Sequence, residues 1–319
     1  MIDNGRHVEV GLDTKLPDFD RTLRRHWIEL PATDPKRAAE LRQRFGVDFA
    51  ATQGRVWETD DFLYLPVVVN FSRAGMIQRE GIMFAIGRDY LVTLQPTERF
   101  APFDKAIAKM RRHPELGESP HGIMYALLWA VNEASERVID IASDALEAMN
   151  GEIEMATNGY DQRGREIGVT EMRDVMSRMN EAEQIVSSTQ ETQLLLARAA
   201  RHLMADTPGH TGDLDDLIGI LIADIDGVKQ HAGFEHDRIR YLQQSVVTWL
   251  NVKQNQIVKV FTIITAVFLP PTLIATFYGM NFTWMPELDW QQGFLVTTLM
   301  TLVAALIPLA YIKRKGWLR

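Results

Sequence analysis

Asn255, Val258, Thr262, Thr265, Leu269, Thr272 and Thr276 step alternately by three and four residues, so in a helix they share one face. Five of the seven can hydrogen-bond, although the surrounding sequence is apolar. A threonine hydroxyl can bond its own i−4 carbonyl or a neighbouring helix, which satisfies each residue singly. That does not explain why they share a face; a water-filled pore does. In that reading Val258 and Leu269, with Phe261 at the edge of the face, are apolar constrictions able to gate by dewetting. Phe261 fits plain packing equally well.

Acidic residues form two further groups. Glu287 and Asp289 stand between two uncharged runs, where they can attract cations. Asp213, Asp215, Asp216, Asp224 and Asp226 form a charge run, ordinarily a solvated face. Asp216 and Asp224 lie about two helical turns apart and so on similar faces. His231 and His236 are five apart, poor geometry for two ligands on one helical face. No Gly-rich phosphate loop, His-Glu-x-x-His or Gly-x-Ser-x-Gly occurs, so the chain is read as a non-enzyme.

The elements that position these groups follow from patterning. Trp27–Leu30 alternates like a strand and leads into Thr33-Asp34-Pro35, a helix cap with proline at the first turn. Phe62–Phe71 is rich in β-formers, and Ile82–Ile86 with Tyr90–Leu94 reads as a hairpin. Helical spacing runs from His121 to about Met155 and from Val169 to Ala205. From Asp213 no breaker intervenes before Phe268, so one helix of about 65 residues, roughly 100 Å long, is expected. Such a stalk cannot bury its apolar face alone and implies partner helices.

The 319 residues are 46% hydrophobic, and mean hydropathy is −0.12, figures ordinary for a soluble protein. The average hides two uncharged runs: 27 residues between Lys259 and Glu287, and 23 between Asp289 and Lys313. Each suffices to cross a bilayer, which needs about 20 apolar residues. Met1 to Arg25 is too charged for the apolar region of a signal peptide. The basic Lys313-Arg314-Lys315 contrasts with an acidic connection between the spans, which places both termini in the cytoplasm. Absence of cysteine excludes a thiolate metal site, and a net charge of −8 argues against nucleic acid as a partner.

Tyr278-Gly279-Met280-Asn281-Phe282 stands at the outer end of the first span, followed by Met285-Pro286-Glu287-Leu288. With Phe268-Leu269-Pro270-Pro271-Thr272 and the closing Lys313–Leu318, this resembles the CorA magnesium-transporter family, whose signature is Gly-Met-Asn. The resemblance is dense over 253–318 and looser before it. It implies an α+β cytosolic domain (1–117), a long-helix stalk region (118–257) and a two-span pore module (258–319, spans about 258–279 and 293–312), arranged as a CorA-like funnel. It further implies a homopentamer in the inner (plasma) membrane, in contact with lipids. The cargo would be Mg2+, with Co2+, Ni2+ or Zn2+ as alternatives, and cytosolic Mg2+ would hold the pore shut.

Gly279, Met280 and Asn281 would form the selectivity filter. The chemistry agrees: magnesium dehydrates reluctantly, and a ring of neutral amide oxygens can bind the hydrated ion through its waters. Asp224 and Asp216 would be regulatory metal ligands, as in relatives with acidic residues between subunits. Where family members often carry an acid after the motif this chain has Thr283, leaving Glu287 and Asp289 as the external acidic groups. Small residues are also common in the family at the place of Thr276. Two alternatives stand beside this reading: a ZntB-like zinc or cobalt transporter of the same superfamily, and a membrane-anchored cytosolic sensor.

Overall fold

The computed structural model describes residues 16–52, 54–159, 167–207, 212–280, 285 and 290–316. It falls into two compact units, described separately.

The first unit comprises the described residues up to Glu154 together with Asp174–Gln243. Helix α1 (Leu16–His26) leads into strand β1 (Trp27–Pro31), and α2 (Pro35–Phe45) follows. Asp34 caps α2 as expected, its carboxylate accepting from the Arg37 N–H at 3.0 Å with Pro35 in the first turn. Strands β2 (Trp57–Glu58), β3 (Phe62–Arg73), β4 (Met76–Gly87) and β5 (Leu91–Gln95) complete a five-stranded sheet in the order β1-β5-β4-β3-β2. The predicted hairpin is β4–β5, antiparallel with Ile86 opposite Leu91. A longer hairpin, β3–β4, was not expected. Its turn uses Ala74 at φ 51° and Gly75 at φ 79°, two left-handed residues that match the twist of the flanking strands. Ala-Gly lacks the usual Asn-Gly signal, which is why the pattern did not announce it.

Strand β1 pairs parallel to β5 at the sheet edge. One sheet face and α3 (Ala101–Arg112, unassigned by the sequence) enclose Trp27, Phe84, Phe100 and Phe103 in a core continuous with the buried faces of the long helices. The other face packs Leu30, Tyr64, Ala85 and Val92 under α2.

Three long helices follow: α4 (Pro120–Asn158), α5 (Val169–Asp206) and α6 (Gly212–Tyr278). Each starts and stops within a few residues of the sequence expectation. Within the first unit, α6 buries Ile218, Leu221, Ile225, Val228, Ala232, Glu235, Ile239 and Leu242, steps of three and four that make one seam. Glu235 is the one charge in that seam and is 1% exposed. Ser143 of α4 donates to its Oε1 at 2.8 Å, and Arg238 approaches its Oε2 at 3.6 Å while pairing with Glu147. Sheet and helices are joined by Asn70 of β3, whose buried amide donates to Ser188 Oγ (2.9 Å) and Thr189 Oγ1 (3.1 Å) of α5.

The second unit comprises Met155–Arg173 and Gln244–Arg319. Here α6 buries Val246 and Trp249, whose indole N–H donates to the Ala156 carbonyl at 2.9 Å. Beyond Trp249 most of its large apolar residues are exposed, with Ile263, Val267 and Ile274 half-buried, and those of α7 (Gly293–Arg314) are exposed except Ile312, which alone among that helix's described residues is buried. Both helices are long and apolar enough to cross a membrane.

Replacing Asn70 by Ala removes both of its hydrogen bonds to α5, while Ser188 and Thr189 keep their own bonds to the Ile185 carbonyl. Stability should fall by about 1–3 kcal/mol. Thermal unfolding of the purified full chain in detergent measures this; an unchanged midpoint would show that the joint contributes nothing.

Candidate pore face and acidic pocket

Helix α6 continues through Pro270 and Pro271 without interruption. These prolines release the carbonyls of Ala266 and Val267 from the helical ladder. Along the stripe, Thr262 donates to Val258 O (2.8 Å), Thr265 to Phe261 O (2.9 Å), Thr272 to Phe268 O (2.6 Å) and Thr276 to Thr272 O (2.7 Å). Each hydroxyl proton is therefore directed back into the helix, and what faces outward is oxygen lone pairs. Four acceptors on one face, interrupted by Leu269, suit cations or the hydrogens of water. The same back-bonding occurs at Thr298 and Thr301 of α7, so the bond alone does not mark the face; the shared spacing does. Val258, Phe261, Thr262, Thr265 and Ala266 line an open concavity of about 450 Å³ on this side. Asn255 and Leu269 are exposed on the same helix.

Gly279 terminates α6, its N–H shared between Ala275 O (3.0 Å) and Thr276 O (3.2 Å). A Cβ there would stand 3.1 Å from the Ala275 carbonyl oxygen, closer than side chains normally sit, so glycine suits this turn. The Met280 N–H bonds Phe277 O at 3.3 Å, and its side chain is partly exposed. Asn281, Glu287 and Asp289 lie outside the described residues.

Asp224 is exposed on α6 and lines a cavity of about 370 Å³ with Trp129, Asn132, Glu133 and Glu136 of α4 and His231 of α6. Lys105 pairs with Glu133 at 3.3 Å, and the Lys109 ammonium sits 3.9 Å over the Trp129 ring. Burial, followed by the charges of Glu133, Asp140 and Asp224, holds the Glu136 carboxyl above its ordinary range, with His231 opposing. Burial lowers the Lys109 ammonium, and burial followed by Asp224 raises the Tyr125 hydroxyl. Asn132 Oδ1 is buried without a hydrogen-bond partner. Asp216 is exposed but does not line this cavity. Among the described residues no three His, Asp or Glu side chains converge closely enough to hold a bare metal ion. Sequence reasoning singled out Asp224 but missed Glu133 and Glu136. Their i, i+3 spacing on α4 was visible; that α4 meets α6 there was not.

The profile of the family described as CorA-like Mg2+ transporter protein matches residues 25–314. The magnesium transport protein CorA of Escherichia coli strain K12 is 28% identical over 338 aligned residues, covering 100% of this chain and 98% of that protein. The complete structure of the CorA magnesium transporter of Methanocaldococcus jannaschii superposes with a TM-score of 0.69 at 18% identity, over 91% of this chain and 90% of that one. The full-length CmaX protein superposes at 0.61 and 17% identity, over 91% and 88%. The fold is thus that of full-length CorA, an α/β domain, long helices and apolar C-terminal helices.

Single cysteines test the acceptor face without background, because the chain has none of its own. Positions 265, 269, 272 and 276 should react with small aqueous thiol reagents in the reconstituted protein. Reaction concentrated at 263, 267 and 274 would place water on another side of α6. For the acidic pocket, Glu136→Gln supplies a pH test. Because the Glu136 carboxyl is raised in the fold, the proton it binds stabilises the folded chain at and below the ordinary carboxylate range. That contribution is lost as pH rises through the folded value. The Gln variant should therefore be at least as stable as wild type at pH 7.5 and lose that advantage near pH 4.5. Parallel pH–stability curves would show that Glu136 titrates normally.

Proposed function

The chain belongs to the CorA-like Mg2+ transporter family, and from that premise we propose that it is a passive magnesium channel, a homopentamer shut by cytosolic Mg2+. The observation that carries the reading is the acceptor-only stripe of α6, which continues to the Gly279 turn directly before Asn281. A hydrated divalent ion presents only hydrogens outward, and a wall of lone pairs meets them without stripping its waters. Five copies of α6 around an axis would turn one stripe into rings, with Val258 and Leu269 as apolar constrictions and Phe261 beside them. Gly279, Met280 and Asn281 would make the outer filter, and Glu287 and Asp289 would concentrate cations at its mouth.

The regions 1–117, 118–257 and 258–319 then act as sensor domain, stalk and pore module. Both termini would lie in the cytoplasm, with the chain in the plasma membrane. Of the two regulatory acids Asp224 is the better placed, since Glu133 and Glu136 share its cavity while Asp216 stands apart. The converging carboxylates repel one another, and a cation would relieve that repulsion. Among the described residues no bare-ion ligand set converges, so the ion would be held through its waters or completed by a neighbouring subunit. Co2+, Ni2+ and Zn2+ are the alternative cargoes, and a ZntB-like selectivity is the rival reading. A magnesium-driven flux exceeding those of zinc and cobalt in proteoliposomes separates them.

Asn281→Ala should abolish magnesium uptake, by about tenfold or more, while leaving assembly intact; wild-type flux in an assembled variant would remove the filter assignment. Asp224→Ala, alone or with Asp216→Ala, should raise the internal magnesium needed for closure, because a ligand shifts a two-state equilibrium only through its differential affinity. Closure at the wild-type concentration in both variants would mean that sensing resides elsewhere.

A further inference from the structure

Near the start of the uncharged run, the beginning of α5 and the side of α6 away from the stripe enclose a groove of about 450 Å³. Ile167, Val169, Ile257, Val260 and Phe261 make its walls apolar, and Lys253 with Gln256 stands at its polar end. At 100° per residue, Lys253, Gln256 and Val260 fall roughly opposite the stripe, with Ile257 flanking them and Phe261 bordering both sides. The far side of a pore-lining helix faces away from the water-filled axis. Ile257, Val260 and Phe261 are at least half exposed here among the described residues.

Lys253 is held in place by aromatic contact: its ammonium lies 5.6 Å from the Trp249 ring, and Trp249 is itself anchored to Ala156. The nearby Glu171 carboxylate accepts the Gly168 N–H at 3.1 Å. Nearly two turns further along α6 stands Lys259, the last charge before 27 uncharged residues. Along the helix Lys253 therefore comes first, and the apolar wall of Ile257, Val260 and Phe261 runs on into the hydrocarbon-length run. That is the sequence of a phospholipid read from headgroup to chain: an anionic phosphate, a glycerol ester, then acyl methylenes.

We propose that this groove binds an anionic phospholipid of the cytoplasmic leaflet, its phosphate at Lys253 and the upper part of one acyl chain over Ile257, Val260 and Phe261. Charge complementarity selects the headgroup, and the exposed apolar wall supplies the chain contact. The inference rests on α6 crossing the membrane, as in the functional reading above, but not on which ion is carried. The bound lipid would brace the start of α5 against the first span.

The test uses the full chain reconstituted in nanodiscs of mixed phosphatidylglycerol and phosphatidylcholine, with retained lipid counted after detergent exchange. Wild type should retain phosphatidylglycerol preferentially. Lys253→Gln should lower that retention by about fivefold without changing retained phosphatidylcholine, the effect expected of one cation near a membrane surface. Val260→Trp, which fills the groove, should lower both. A photo-reactive residue in place of Ile257 should label lipid. Equal retention by wild type and Lys253→Gln overturns the proposal, as does equal retention of the two lipids by wild type. A crosslink from position 257 to a second copy of the chain overturns it too. Magnesium flux is read separately on the same preparation: lipid selectivity kept without flux supports the site and removes only the transport reading.

Discussion

A hydroxyl on a helix in hydrocarbon must give its proton to some acceptor, and the only acceptor always within reach is the carbonyl one turn back. That constraint organises the threonine-bearing side of α6. Thr262, Thr265, Thr272 and Thr276 all bond inward, so the helix satisfies itself and still shows oxygen to the outside. A helix satisfied in this way survives in lipid before it meets a partner. The prolines at 270 and 271 act on the same accounting from the other side, leaving two carbonyls without ladder donors in the middle of the run.

The N-terminal part of α6 has the opposite problem. It must be held by its own chain, and it is, through a seam of three-and-four spacing whose single charge, Glu235, is met by Ser143 and Arg238. An unpaired buried carboxylate would be strongly destabilising. The contacts on Glu235 come from α4 and from α6 itself, so they tie the register of one helix to the other. The acidic cavity around Asp224 lies between the same two helices. Repulsion among Glu133, Glu136 and Asp224 thus acts on a helix pair whose register is fixed elsewhere, an arrangement in which a bound cation can alter local geometry.

Among the described residues no three acidic or histidine side chains converge, and a hydrated magnesium ion does not require that they should. An ion that keeps its waters is recognised by oxygen surfaces spaced for a hydrated sphere, and three carboxylates at bonding distance are unnecessary. The stripe of threonines and the scattered acids of the cavity are both consistent with such recognition. The exposed apolar residues of the two C-terminal helices belong to the same picture, since hydrocarbon covers what the chain leaves bare.

Much of this was legible in the residues alone. The two spans, the stripe, the cap at Asp34, the β4–β5 hairpin and the three long helices are all local: each is written in spacings of two, three or four residues, where the backbone period sets which side chains share a face. The β3–β4 turn at Ala74-Gly75 and helix α3 escaped because their local signals are weak. The long-range arrangements had no local signal to read. That β1 pairs parallel with β5, that Asn70 reaches Ser188, that Glu136 approaches Asp224 and that Ile167 closes a groove beside Lys253 depend on which faces pack across tens of residues. Periodicity says that a face is apolar or polar; only the packed chain decides which other face it meets, because many apolar faces are interchangeable until their shapes and buried hydrogen bonds are matched.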